Sequence, residues 1–128
     1  MGVSTVLRWD TSAAAAVALR LRADSELARG CFEDFRTYSE LQAAWAGEAA
    51  SAAGQHTYRL AHDLYVVGDL IGLLGATIAR RAADLAAALH TVRAASKEAA
   101  AAGLLVSEDG SVSVPAAQTA VAAQLDWD

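Results

Sequence analysis

Two long stretches of the chain repeat apolar residues every three or four positions, the spacing of an amphipathic helix. In the first stretch the apolar line consists of Leu19, Ala23, Leu27, Cys31, Phe35, Tyr38, Leu41 and Trp45. In the second it consists of Leu60, Leu64, Val67, Ile71, Leu74, Ile78, Ala82, Leu85, Leu89 and Val92. The pattern predicts helix 1 over about residues 11–44 and helix 2 over about residues 48–102.

Charged residues line the opposite face of helix 1 and alternate in sign. They are Arg22, Glu26, Arg29, Glu33, Arg36 and Glu40. Residues three and four apart are neighbours on a helix surface, so this face is predicted to be exposed and held by ion pairs.

The apolar line of helix 2 has a heptad-like spacing with one stutter, because Leu74, Ile78 and Ala82 are each four residues apart. Gly68, Gly72 and Gly75 lie in the same stretch. Glycines at spacings of four and three permit a close helix crossing, and they also occur at kinks. We favour close packing against helix 1 or a partner.

Trp45-Ala46-Gly47 separates the two stretches. Glycine tolerates the dihedral angles of a sharp turn, so the chain is predicted to fold as a long antiparallel helical hairpin. The Trp45 ring either covers the helix junction or forms part of a docking surface, a role that suits a large ring with a polar edge.

The two ends of the chain have their own signals. Residues 3–9 are predicted to form a short extended segment. Gly103 is a good helix stop, and residues 104–114 read as a β-hairpin with a type I′ turn at Asp109-Gly110. A short helix is predicted over residues 116–125. The prediction is an all-α domain over residues 1–103 and a tail over residues 104–128.

Composition narrows the range of partners. The net charge is −5, which disfavours nucleic acid and anionic membranes as partners.

The apolar run from Leu64 to Ala79 is shorter than the roughly 20 residues of a membrane span, so no membrane insertion is expected. A signal peptide is not evident at the N-terminus. Cys31 is the single cysteine and has no internal disulfide partner.

Residues that would support catalysis or cofactor binding do not form a recognisable set. The chain has no Gly-rich phosphate loop, nucleophile elbow or paired metal-ligand motif. The three histidines, His56, His62 and His90, are predicted to be surface residues. Cys31 is predicted to be a small core residue. We therefore expect a protein that is not an enzyme and has no cofactor.

The sequence resembles the WXG-type helical hairpins exported by the type VII (ESX) secretion systems of mycobacteria and related actinobacteria. The resemblance covers roughly residues 10–102 and rests on Trp45-Ala46-Gly47, on the flanking helices and on the small-residue run Glu48–Ala53. It implies export in a folded state without a cleaved signal. The protein would be cytoplasmic before export and then secreted or held in the cell envelope.

Pairing follows from the same resemblance. It implies a non-catalytic substrate or targeting chaperone that joins another helical hairpin in a four-helix bundle, as a heterodimer or alternatively a homodimer, or that accompanies a larger effector or toxin. The candidate interface residues are Leu60, Leu64, Val67, Gly68, Ile71, Gly72, Leu74, Gly75, Ile78, Leu85 and Leu89.

In this family a Trp-x-Gly turn and a Tyr-x-x-x-Asp/Glu element beyond the hairpin mark the pair for export. Trp45 and Gly47 match the turn. Tyr65 and Asp69 match the second element by spacing but lie inside helix 2, so the export signal could belong to a partner chain. The alternatives are a self-associating cell-envelope protein, or a separate targeting domain or immunity partner of a toxin or hydrolase.

Overall fold

A computed structural model describes residues 1–42 and 44–115 of the chain. The elements are α1 (Val3–Leu7), α2 (Ser12–Gln42), α3 (Glu48–Ala101), β1 (Leu105–Val106) and β2 (Val112–Ser113). The long helix pair and the small sheet confirm a mostly helical fold with a C-terminal strand pair. The predicted short helix at 116–125 lies outside the described residues.

The chain divides into two compact units. One is Ser12–Ala82, which holds α2 and the first part of α3. The other joins Met1–Thr11 to the chain from Ala83 onward, and it holds α1, the end of α3 and the two strands.

In the Ser12–Ala82 unit, α2 and α3 run in opposite directions. The Ser25 hydroxyl donates to the Gly68 carbonyl at 2.7 Å. Further along α2, the Phe32 ring lies 5.4 Å from the Tyr65 ring. Earlier along α2, Leu21 lies beside Gly75. Later residues of α2 therefore contact residues of α3 that lie closer to the N-terminus of α3, as in an antiparallel pair.

The contact between α2 and α3 follows a regular alternation of three and four residues. We call it the seam, and its partly or fully buried positions are Ala14, Ala18, Leu21, Ser25, Ala28, Phe32 and Phe35 on α2, and Thr57, Ala61, Leu64, Gly68, Ile71, Gly75, Ile78 and Ala82 on α3. This spacing is that of a left-handed coiled coil. Many seam residues are small, so the two backbones approach closely.

The seam differs from the predicted apolar lines. On α2, Leu19 and Leu27 are each 68% exposed, whereas Ala18 and Ser25 are buried. Small residues of α2 lie beside two of the glycines of α3, Ala28 at Gly68 and Ser25 at Gly72. Larger residues, among them Leu21 and Phe32, occupy other seam positions. On α3 the apparent stutter disappears once Gly68 and Gly75 are counted as seam positions.

The glycines of α3 serve close packing, as favoured from the sequence. A Cβ added at Gly68 would lie 3.0 Å from the Ala28 Cβ, and one added at Gly72 would lie 2.8 Å from the Ser25 hydroxyl. Helix α3 continues without a break through this stretch.

Gly47 stands directly before α3. Its φ of 111° lies in the region that favours glycine. Its carbonyl accepts the first hydrogen bond of the helix, from the Ser51 amide at 3.1 Å. Glu48 follows in the first turn, where its charge is favourable to the helix dipole.

The end of α3 has the predicted glycine stop. Gly103 has a φ of 72°. Its amide donates to the Ala100 carbonyl at 3.0 Å, and the Leu104 amide donates to the Ala99 carbonyl at 2.9 Å. These two bonds are the Schellman motif, which satisfies carbonyls left free at a helix end.

The strand pair is confirmed as antiparallel, with Val106 opposite Val112, but the predicted type I′ turn is wrong. That turn needs a positive φ at two central residues, and among the described residues only glycines have one. Instead, Ser107 and Ser111 enclose three residues, with the Gly110 amide bonded to the Ser107 carbonyl at 2.9 Å. Gly110 alone takes the positive φ, at 86°.

The prediction of an extended segment at residues 3–9 is also wrong, because Val3–Leu7 is a short helix. The hairpin loop holds its first turn. The Val3 amide donates to the Glu108 carbonyl at 3.0 Å, and the Ser4 amide donates to the Glu108 carboxylate at 3.2 Å. At its other end, the Arg93 guanidinium donates to the carbonyls of Leu7 and Trp9.

The contact between Glu108 and Ser4 should be visible in a titration. Hydrogen bonding by Ser4 lowers the pKa of Glu108 below the ordinary value of a glutamate, so the charged carboxylate persists until the pH falls through that lowered pKa. We expect the Ser4 amide resonance in NMR to titrate with this low midpoint. In Glu108→Gln the resonance should no longer follow a carboxyl titration. A normal glutamate midpoint would contradict the contact.

Candidate interaction surface

The seam divides the surface of the Ser12–Ala82 unit into two flanks. Three arginines of α2 directly follow seam residues: Arg22 follows Leu21, Arg29 follows Ala28 and Arg36 follows Phe35. On α3, Tyr58 follows Thr57 and Tyr65 follows Leu64. We call these five residues the arginine flank. In an antiparallel pair, positions that follow the seam on both helices lie on the same side.

The arginine flank is already occupied by ion pairs within the chain. Arg22 binds Glu26 at 3.3 Å, Arg29 binds Asp69 at 3.5 Å, and Arg36 binds both Glu33 and Glu40 at 2.9 Å. The hydrogen bond from Arg36 to Glu33 is the largest cause of a raised pKa at Arg36. These pairs confirm the exposed charged face predicted for helix 1. Because these side chains are exposed to solvent, the ion pairs add little to stability.

An aromatic cleft of about 380 Å³ opens on the arginine flank. Its lining is mostly apolar and consists of Phe32, Phe35, Arg36, Glu40, Thr57, Tyr58, Ala61, His62 and Tyr65. The Thr57 hydroxyl is satisfied by the Ala53 carbonyl at 2.8 Å. The cleft can accommodate an apolar side chain, but its lining holds no nucleophile paired with a base. Phe32 lies outside the predicted apolar line of helix 1.

The opposite side carries the residues that directly precede the seam. On α2 they include Val17 and Cys31, with Tyr38 seven residues further on, and on α3 they are Leu60, Val67 and Leu74. We call these six residues the apolar flank. Cys31 is a free, partly buried thiol.

The apolar flank is uncovered. Leu60, Val67 and Leu74 are 41%, 50% and 52% exposed, and Val17 and Tyr38 are about as open. In contrast, the buried hydrophobic residues among those described are Ala18, Ala61, Ala82 and Leu89. The fully buried hydrophobic residues of the helix pair are thus alanines, while large residues of the apolar flank stay open, an arrangement typical of interaction surfaces.

The predicted interface residues divide between seam and flank. Gly68 and Gly75 are buried and Gly72 is partly buried, all beside residues of α2. Leu64, Ile71 and Ile78 are partly buried. Beyond this unit, Leu85 remains 40% exposed and Leu89 is buried. Within this unit, the seven-residue series of Leu60, Val67 and Leu74 is the most exposed part of the predicted set.

The turn residues and the Tyr-x-x-x-Asp pair are placed differently. The Trp45 ring is 63% exposed, so most of its surface is open to contact. Tyr65 lies against Phe32, and Asp69 binds Arg29. Both side chains therefore have a structural role between the helices, while half of each remains accessible.

Within the described residues, no group of three or more His, Cys, Asp or Glu side chains is placed to hold a metal ion. The three histidines are exposed, as predicted. Helix α3 contains an 18-residue window long and apolar enough to cross a membrane, of which 17% is buried.

Comparisons with protein-family models, with curated proteins and with solved structures gave no match.

Proposed function

We propose that this chain is a non-catalytic substrate or targeting partner of a type VII (ESX) secretion system. In this proposal it pairs through the apolar flank with another helical hairpin or with the helical part of a larger effector. The pair forms a four-helix bundle in the cytoplasm and is exported folded to the cell envelope or the medium. The single observation that supports it most is the uncovered apolar flank.

The argument from that flank is energetic. Burying apolar surface is worth about 25 cal/mol per Å², and alanine and glycine contribute little of it. A core made from Ala18, Ala61 and Ala82 is therefore thin. A second helix pair laid on Leu60, Val67 and Leu74 would supply the missing burial, as in helical bundles generally.

The Trp-x-Gly turn supports the type VII part of the proposal. Gly47 with its positive φ and the exposed Trp45 ring lie at the start of α3. That placement is compatible with a ring that contacts the export machinery or a partner. Tyr65 and Asp69 are engaged with α2, which favours a partner chain as the carrier of the second export element.

The decisive experiment compares the secreted proteins of the producing cells with and without the secretion ATPase. We expect the chain in the medium or envelope only when the ATPase is present. Equal export in both strains would leave a cell-envelope protein independent of type VII as the better explanation. A stable monomer that binds no helical chain encoded beside it would contradict the pairing.

Replacing the turn tryptophan tests the turn separately. We expect Trp45→Ala to reduce assembly or export more than Trp9→Ala, because Trp45 is 63% exposed and Trp9 is 37% exposed and held beside Arg93. Quantitative immunoblots of cell and medium fractions measure the difference. Equal effects of the two substitutions would remove the turn from the proposal.

A further inference from the structure

Asp24 lies within the apolar flank. It precedes the buried Ser25 and falls seven residues after Val17 and seven before Cys31. Because Ser25 contacts Gly68 and Gly72, Asp24 lies level with the stretch of α3 between Val67 and Leu74. A carboxylate therefore stands among half-exposed apolar side chains, Val67 and Leu74 being 50% and 52% exposed.

This carboxylate has no partner within the described part of the chain, where it forms neither a hydrogen bond nor an ion pair. Arg20, one turn earlier, is not within ion-pair distance. Arg81, which continues the spacing of the apolar flank beyond Leu74, already has an interaction of its own. In water the charge of Asp24 is solvated, but covering it with an apolar surface would strip that water away at a high cost.

We propose that Asp24 selects an unlike partner for the apolar flank. This inference rests on the proposed pairing function and names the chemistry of the partner. The partner is a helical chain whose apolar face carries a lysine or arginine opposite Asp24. A second copy is disfavoured, because two copies joined by this flank would bring two carboxylates into one apolar contact, and like charges there repel each other. Polar residues at otherwise apolar helix interfaces select partners in the same way.

The first test removes the charge and measures self-association. Sedimentation velocity of the wild type should show weak self-association, and Asp24→Leu should self-associate at least about tenfold more tightly. Glu26→Leu is the matched control, since Glu26 pairs with Arg22 on the arginine flank; it should leave self-association unchanged. Circular dichroism checks that all three chains keep their helix content.

The second test uses the chain itself as the probe for a cation. Wild type and Asp24→Lys are mixed with distinguishable tags, and native mass spectrometry counts the like and unlike pairs. We expect unlike pairs to exceed the statistical half, because opposite charges within one apolar contact attract strongly. A tight wild-type homodimer, equal gains from Asp24→Leu and Glu26→Leu, or a purely statistical mixture would each overturn the inference.

These outcomes are separable from those of the secretion experiment. Export that depends on the ATPase, together with no effect of Asp24→Leu, would defeat the selection by Asp24 and leave the proposed function standing. Loss of the proposed function would instead show as export without the ATPase, whatever the self-association of the variants.

Discussion

Gly75→Leu is expected to destabilise the protein by about 3 kcal/mol, an overpacking cost at the upper end of the usual range. A Cβ at this position would lie 3.1 Å from the Leu21 Cβ and 3.2 Å from the Ala18 carbonyl oxygen. The carbonyl belongs to the backbone of α2 and has no freedom to rotate aside. A leucine side chain would therefore separate the helices along the seam.

The matched control is Gly54→Leu, near the start of the same helix. A Cβ added at Gly54 meets nothing within 4 Å, and leucine is a better helix former than glycine by roughly 0.8 kcal/mol. Thermal unfolding followed by circular dichroism should show Gly75→Leu melting roughly 10 °C below the wild type, and Gly54→Leu at or slightly above it. Equal melting temperatures of the two variants would refute the close approach at Gly75.

Leu74→Glu is expected to weaken the proposed complex with a partner chain about 100-fold, equivalent to roughly 3 kcal/mol. The substitution places a second unpaired carboxylate in the apolar flank close to the level of Asp24, where the partner would strip it of water. Leu74 is 52% exposed in the unpaired chain, so the helix pair itself tolerates the glutamate. The loss should therefore appear in binding and export, with helix content unchanged.

Leu19→Glu is the matched control for that variant. Leu19 is 68% exposed and lies on α2 towards the arginine flank, three residues before Arg22. Biolayer interferometry against the chain that co-purifies from producing cells should give an affinity within about threefold of wild type for Leu19→Glu. If both glutamates weaken binding alike, the partner does not distinguish the two flanks, and the apolar flank is not the contact.

The ends of the long helices could be predicted because their signals are local. Gly47 and Gly103 adopt positive φ angles at the boundaries of α3. Glycine is the residue expected where the backbone must take a positive φ, so both boundaries could be predicted. Gly68, Gly72 and Gly75 likewise predicted a close contact between the two long helices. In each case the signal lies within a few residues of the structure that it specifies.

The choice of contact face was mispredicted for a physical reason. Ranking residues by hydrophobicity places Leu19 and Leu27 on the inner side of α2, but the neighbouring Ala18 and Ala28 take that side. Ala28 lies beside Gly68, where a larger side chain would hold the backbones apart. Counting small residues as seam positions would have found the regular spacing, including Phe32 and the aromatic cleft beside it.

Helix α1 was missed because its stabilising partner is remote in sequence. Five residues are too few for a stable isolated helix. The first turn is held by Glu108, 104 positions after Ser4, and no local pattern in residues 3–9 could reveal that contact.

With the proposed pairing, the thin seam would also link the stability of this chain to the concentration of its partner. A helix pair that buries alanine against glycine gains little free energy of folding, and binding of the partner would add to it by mass action. Chains synthesised in excess of their partner would then unfold more often and be degraded sooner by cellular proteases. The close packing at the glycines of α3 would in this way help to keep the two chains at equal concentrations in the cell.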